Sequence, residues 1–235
     1  MVVAIILAGG VGARMHADTP KQFIRVQDRL LITYCLETLI RHSGIDGIQI
    51  VADQEWQKLI FEDLEKNHLD AGKILGFSKP GKMNRQESIF HGLQDIKNQS
   101  GFSTDSVLIC DAARPNMTAS MISACLNSLQ DHDGAMPVLP MKDTLYFSED
   151  GKSVSSLMER QKIFAGQAPE AFSFEKYYDA NARLTPEQMS MINGSTEPAI
   201  LAGMDIAMIP GDEQNYKITT PADLERFCRS VSGPK

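Results

Sequence analysis

The chain has 235 residues, 43% of them hydrophobic and 23% charged, which suits one sizeable core and excludes a disordered polymer. Asp and Glu total 30 against 23 Lys and Arg, and the net charge of −7 argues against coating nucleic acid or docking on an anionic membrane. A small anionic ligand stays admissible, because a few local cations outweigh a diffuse negative shell.

In chain order, Val2–Leu7 is short, continuous and rich in β-branched residues, and it stops at Gly9-Gly10. A strand buried on both faces of a parallel sheet has this texture. Similar runs recur at Ile48–Val51 and Val107–Cys110. Helical patterns lie between them, at Leu30–Ile40, Trp56–Leu69 and Gln86–Ile96, followed by an apolar stripe of Met121, Ile122, Cys125, Leu126 and Leu129. The alternation predicts an α/β protein with a mainly parallel, three-layer architecture. From Gly134 short extended segments follow, at 135–139, 144–147, 153–157 and 163–166, broken by Asp150-Gly151 and prolines. They suggest a protruding β-arm at about 138–165, whose unpaired edges call for a second copy of the chain. Helices are expected over Phe174–Leu184 and Glu187–Met204, then a strand at Ile206–Ile209. A last helix opens with Thr220 as N-cap, Pro221 first and Asp223 third. One domain over residues 1–235, carrying an arm, is the simplest organisation.

Cys35, Cys110, Cys125 and Cys228 form no Cys-x-x-Cys pair and sit in apolar stretches, which points to reduced, buried thiols. No basic segment precedes the first apolar run, and that run falls far short of the ~18 residues a spanning helix needs. The expectation is a cytoplasmic protein with no membrane partner.

The richest chemistry lies in Leu7-Ala8-Gly9-Gly10-Val11-Gly12-Ala13-Arg14-Met15, followed by Pro20-Lys21-Gln22-Phe23. A glycine turn straight after a strand exposes backbone N–H groups to phosphates, although an ordinary strand-to-helix turn needs glycines too. A dinucleotide fingerprint requires a third glycine where Met15 stands, and a P-loop requires Gly-Lys-Ser/Thr, which is absent. What remains is a glycine loop bearing two cations, Arg14 and Lys21. Such a pair suits a triphosphate whose pyrophosphate must leave.

These residues give the chain a specific likeness. Leu-Ala-Gly-Gly-x-Gly-x-Arg-Met with Pro-Lys-Gln-Phe resembles the signature of nucleotidyltransferases, and within them the cytidylyltransferases that act on polyol phosphates. Further matches run along nearly the whole chain in order: Asn84-Arg85-Gln86-Glu87-Ser88, Asp111-Ala112-Ala113-Arg114-Pro115, Lys142-Asp143-Thr144 with Arg160, and Asn215 to Pro221. The resemblance implies a Rossmann-like α/β/α fold, CTP and a polyol phosphate as substrates, Mg²⁺ as cofactor, and a homodimer formed through the arm. It implies CTP contacts from Leu7, Ala8, Gly9, Gly10, Gly12, Gly81, Asn84, Arg85, Ser88, Asp111 and Ala112. Arg14, Lys21, Arg160 and Lys217 become the catalytic set. Arg114, Lys142, Thr144, Arg160 and Lys217 become polyol-phosphate contacts, with Arg160 reaching in from the partner's arm.

Each position also has a plainer reading. Asp111 closes a strand at its carboxyl end, where it is either a Mg²⁺ ligand or a helix N-cap. Arg114 either meets substrate or pairs with Asp111, and the Arg85–Ser88 turn either meets base and sugar or caps a helix. Lys217 could be a solvated loop lysine, and Arg160 could pair with Glu159. The methylerythritol branch of the family usually carries Thr-Asp-Glu where this chain has Ser195-Thr196-Glu197, threonine in place of Ala168, Asp in place of Gln214, and a Gly-Gly pair in the Pro80–Met83 turn. These departures, with the texture of 166–169 and 184–188, bring the chain nearer the ribitol 5-phosphate branch. An NAD(P)-dependent reductase is disfavoured, since no tyrosine has a lysine four positions on. A nucleotide-binding regulator without turnover is the other rival.

Overall fold

The computed structural model describes residues 1–10 and 19–232. Gly12 and Arg14, singled out above, lie outside them. The strands are β1 (Val2–Leu7), β2 (Arg25–Val26), β3 (Arg29–Leu30), β4 (Gly47–Val51), β5 (Ile74–Ser78), β6 (Ser106–Asp111), β7 (Gly134–Pro140), β8 (Tyr146–Phe147), β9 (Ser156–Leu157), β10 (Phe164–Gly166), β11 (Glu170–Ser173) and β12 (Ile206–Pro210). The α-helices are α1 (Leu31–Arg41), α2 (Gln54–Lys66), α3 (Arg85–Asn98), α4 (Ala119–Ser128), α5 (Phe174–Ala182), α6 (Pro186–Met191), α7 (Glu197–Leu201) and α8 (Pro221–Val231).

Eight strands form one sheet in the order β10-β7-β11-β6-β1-β4-β5, with β12 also on β7. The β6-β1-β4-β5 half is parallel, and antiparallel β11 joins it to β7. Alternate residues of β1 feed two cores. Ala4 and Ile6 pack with Ile32, Leu36, Ile60 and Ile122, from α1, α2 and α4. Val3 and Ile5 pack with Ile89, Leu93 and Tyr177, from α3 and α5. Helices on both faces of a mostly parallel sheet make the expected three-layer architecture.

The helix expected over 187–204 is two short helices. Thr185 starts α6 with a capping box to Gln188, and Pro198 lies in the first turn of α7, where its missing N–H is harmless. Between them Ser195 and Thr196 turn their hydroxyls inward to Glu170. Sequence reading also passed over β5 and β11. The capping box of Thr220 and Asp223 at α8 is as expected.

The arm leaves on the end of β7 and returns on β10, which pair antiparallel at its base, and beyond them it carries β8 and β9, an antiparallel pair of two residues each. It exposes Tyr146, Phe147, Val154 and Leu157. Cys35, Cys110 and Cys125 are free and buried, whereas Cys228, also expected to be buried, is free and half-buried on α8. Burial pushes the Cys35 and Cys125 thiols up to about 12, which leaves them protonated and inert. Among the described residues no helix is long and apolar enough to cross a membrane.

Candidate active site

β1 pairs with β4 on one side and β6 on the other, so strand order reverses there. Ligands of open α/β sheets bind at the carboxyl edge of such a switch point. Register sets Leu7 opposite Asp111, and Ala112 N–H then donates to Leu7 O (3.2 Å) while Ala8 N–H donates to Val51 O (2.8 Å). Gly9-Gly10 therefore leaves the sheet beside Asp111. Gln22 tightens the turn, its Nε2 donating to Ala8 O (2.5 Å) and Gly10 O (2.9 Å). Gly9 sits so close to Pro80 that an added Cβ would lie 2.5 Å from the proline Cβ.

A cleft of about 540 Å³ opens at this edge. It brings together Leu7, Gly9, Gly10, Lys21, Gly81, Asn84, Arg85, Ser88, Asp111 and Lys217 among the residues singled out from sequence. Ala8 and Ala112 are buried behind that surface. Lys82, Met83 and Thr219 also line it, as does Gln22, which the sequence reading passed over beside Lys21.

Asp111 is the electrostatic centre. Arg85 donates to its Oδ1 from Nε (3.1 Å) and Nη2 (3.0 Å). Lys217 Nζ lies 3.0 Å from Oδ2, and Arg114 Nε lies 3.5 Å from the same oxygen. Burial opposes the Asp111 charge, but Arg85, Lys217 and Arg114 more than offset it and hold the carboxyl well below the ordinary carboxylate range. Burial likewise works against the Arg85 charge, and Asp111 and Glu170 outweigh it, so its pKa rises. For Arg114 burial wins, and the pKa falls.

The geometry bears on four alternatives from the sequence. Asp111 is no N-cap, because Thr118 caps α4 and accepts from Met121 N–H. Arg114 does face Asp111, and its Nη1 donates to Asn215 O (2.5 Å). The Arg85–Ser88 turn is the first turn of α3, capped by Asn84, and it also lines the cleft. Lys217 is held rather than solvated. Ile218 N–H donates to Ala113 O (2.8 Å), Asn215 Nδ2 to Ala168 O (2.7 Å), and Lys21 Nζ to Ile218 O (2.6 Å).

The arm residues are not brought into the cleft of their own chain. Lys142 and Thr144 are exposed, with Lys142 paired to Glu213. Arg160 Nη1 donates to Lys142 O (2.6 Å), and it is Lys162 rather than Arg160 that pairs with Glu159, at 2.7 Å.

Glu170 is a functional candidate that sequence reading missed. Burial pushes its carboxyl above the ordinary value, against the pull of Arg85 and the Ser195 hydroxyl. The one signal was an acidic residue inside the apolar run Ala168–Phe174.

The family described as IspD, 2-C-methyl-D-erythritol 4-phosphate cytidylyltransferase, matches residues 2–228. The bifunctional enzyme IspD/IspF of Granulibacter bethesdensis is 35% identical over 98% of this chain, which spans 56% of that protein's length. The ribitol-5-phosphate cytidylyltransferase of Lactiplantibacillus plantarum is 29% identical over 95% of both chains. In fold, the chain is similar to the 4-diphosphocytidyl-2C-methyl-D-erythritol synthase of Anaerococcus prevotii, with a TM-score of 0.80 at 24% identity over 99% of this chain and 96% of the other. It is similar also to the 2-C-methyl-D-erythritol 4-phosphate cytidylyltransferase of Francisella tularensis, with a TM-score of 0.78 at 19% identity over 96% and 97% of the two chains. The chain belongs to the IspD family of cytidylyltransferases, nucleotidyltransferases of α/β fold.

Proposed function

We propose that this protein transfers CMP from CTP to a polyol phosphate, releasing pyrophosphate, and that the acceptor is D-ribitol 5-phosphate. The observation that carries the transferase reading is Asp111 held between Arg85 and Lys217, each 3.0 Å away, at the mouth of the Gly9-Gly10 turn. A carboxylate ringed by cations beside exposed backbone N–H groups suits a triphosphate and a second phosphate together. The ribitol acceptor rests on the end-to-end relative from Lactiplantibacillus plantarum and on Ser195-Thr196-Glu197 and Ala168. The family match and the 35% identical relative favour 2-C-methyl-D-erythritol 4-phosphate as a second reading.

The chemistry asks little of the protein. A phosphate monoester is ionised near neutral pH, so its oxygen attacks the α-phosphorus of CTP without a general base. Pyrophosphate departs in line, and catalysis reduces to positioning and neutralisation. In this reading Lys21 meets the leaving phosphates, as does Arg14. Gly81, Asn84, Arg85 and Ser88 hold base and ribose. Lys217 and Arg114 hold the acceptor phosphate, and Arg160, Lys142 and Thr144 join them from a partner's arm.

Mg²⁺ fits this donor set. Asp111 stays ionised and offers a hard oxygen at the cleft wall, while no group of three or more His, Cys, Asp or Glu suited to a metal occurs among the described residues. A cation on Asp111 would take its other ligands from phosphates and water, as Mg²⁺ readily does. Bound there, it would neutralise phosphate oxygens.

The domain is read as single, with residues 138–165 as a dimerising arm whose exposed Tyr146, Phe147 and Leu157 meet a second copy. Pyrophosphate release from CTP and Mg²⁺, with each of several polyol phosphates and with other nucleoside triphosphates as controls, tests the whole reading. Release with D-ribitol 5-phosphate supports it. No release with any acceptor refutes it.

A further inference from the structure

A second carboxylate lies under the cleft. Glu170 pairs in register with Ile109 of β6, two residues before Asp111, so strand alternation turns both carboxylates to the α3 face of the sheet. Glu170 is 8% exposed and accepts from the Ser195 hydroxyl and from Thr196 Oγ1 (3.1 Å). Tyr177 OH donates to Ser195 O (2.6 Å), and Gln86 Nε2 donates to Tyr177 OH (3.2 Å) and to Asn181 Oδ1 (2.5 Å). Asn84 Nδ2 donates to Met189 O (2.6 Å). These bonds tie the first turn of α3, which carries Arg85, to the connection between α6 and α7.

Two acids therefore face the helix that carries Arg85. Asp111 lines the cleft and is already shared with Lys217 and Arg114. Glu170 is as buried as Asp111 but does not line the cleft, and it stands one strand over on the sheet face that meets α3, where its charge favours the Arg85 cation. A nucleoside triphosphate entering with a divalent cation competes for Asp111, and an arginine relying on Asp111 alone would swing towards the phosphates. We propose that Glu170 is a positioning residue for the nucleotide: a buried counter-charge that keeps the Arg85 guanidinium at the cleft wall when ligands engage Asp111. This rests on the CTP reading above, and adds to it a residue that never touches substrate.

The test is CTP affinity, read by calorimetry with Mg²⁺ and no acceptor, on the full chain, for wild type, Glu170→Gln, Arg85→Ala and the double variant. Glu170→Gln keeps the size and the hydroxyl partners, and is expected to weaken CTP by about tenfold, as loss of one partly screened charge would. In the Arg85→Ala background the same change is expected to add less than about twofold, because coupled residues are not additive. Glu170→Asp retains a carboxylate and is expected to fall between wild type and Glu170→Gln, which keeps the inference testable if the amide folds poorly. In steady-state assays the Glu170→Gln loss is expected in KM for CTP and not for the acceptor. Unchanged CTP affinity in Glu170→Gln, or an equal loss with and without Arg85, overturns the inference. Wild-type protein that binds no CTP overturns the CTP reading itself.

Discussion

Lys217 Nζ meets Asp111 Oδ2 at 3.0 Å, although the two residues lie on opposite sides of the arm in sequence. Asp111→Asn leaves Arg85, Arg114 and Lys217 facing an amide. Removing one partner of a buried pair costs several kcal/mol, and exposure of about a third at Arg85 and Lys217 screens part of it. The expected outcome is a loss of about 2 kcal/mol in urea unfolding and at least a ~100-fold fall in kcat. Lys217→Met leaves Asp111 with two arginines. Its stability is expected to stay within about 1 kcal/mol of wild type, while the acceptor KM rises.

Acid should reveal the same charge cluster. The folded-state pKa of Asp111 is depressed below the ordinary value of ~3.9. Its contribution to stability is therefore fully present above that value and is lost as pH falls towards the folded value. The stability gap between wild type and Asp111→Asn is expected to shrink as pH is lowered from about 5 to about 2. A gap that widened in acid would contradict the assignment.

The glycine turn makes a steric prediction. Gly9→Ala would set a Cβ 2.5 Å from Pro80 Cβ and 2.7 Å from its Cγ, whereas Gly10→Ala meets nothing within 4 Å among the described residues. Gly9→Ala is expected to lose about 1–3 kcal/mol, as overpacking does, and to weaken CTP binding. Gly10→Ala is expected to stay within about 1 kcal/mol of wild type. Thermal unfolding and CTP titration of the two variants check this.

Much of the architecture was legible from sequence, and the reasons are local. β1, β4 and β6 announce themselves because strands buried on both faces are continuous apolar runs. Thr220-Pro221-Ala222-Asp223 announces α8 because its capping chemistry is contained in four adjacent residues. The Gly9-Gly10 turn, Arg85, Asp111 and Lys217 were legible as a set through family likeness, and the cleft brings them together. Glu170 was not, because its meaning depends on register with Ile109 and on hydroxyls from a distant connection. For the same reason 187–204 read as one helix, since its break serves a tertiary hydrogen bond. Gly12 and Arg14 lie outside the described residues.

The proposed sharing of sites across a dimer makes a complementation prediction. Arg160 belongs to the arm and Lys217 to the cleft, so Arg160→Ala and Lys217→Met homodimers are each expected to be impaired. Mixed and allowed to exchange subunits, they form heterodimers with one intact composite site. Activity is expected to recover to about a quarter of wild type, given random pairing under two-fold symmetry. No recovery, or a monomer by sedimentation at micromolar concentration, would contradict the shared site.

One competition tests acceptor choice and transfer together. Protein, CTP and Mg²⁺ are incubated with equal amounts of D-ribitol 5-phosphate and 2-C-methyl-D-erythritol 4-phosphate, and the products are resolved by mass spectrometry. CDP-ribitol is the expected main product, with pyrophosphate in equal amount. CDP-methylerythritol alone would contradict the acceptor, and the absence of both would contradict the transferase reading.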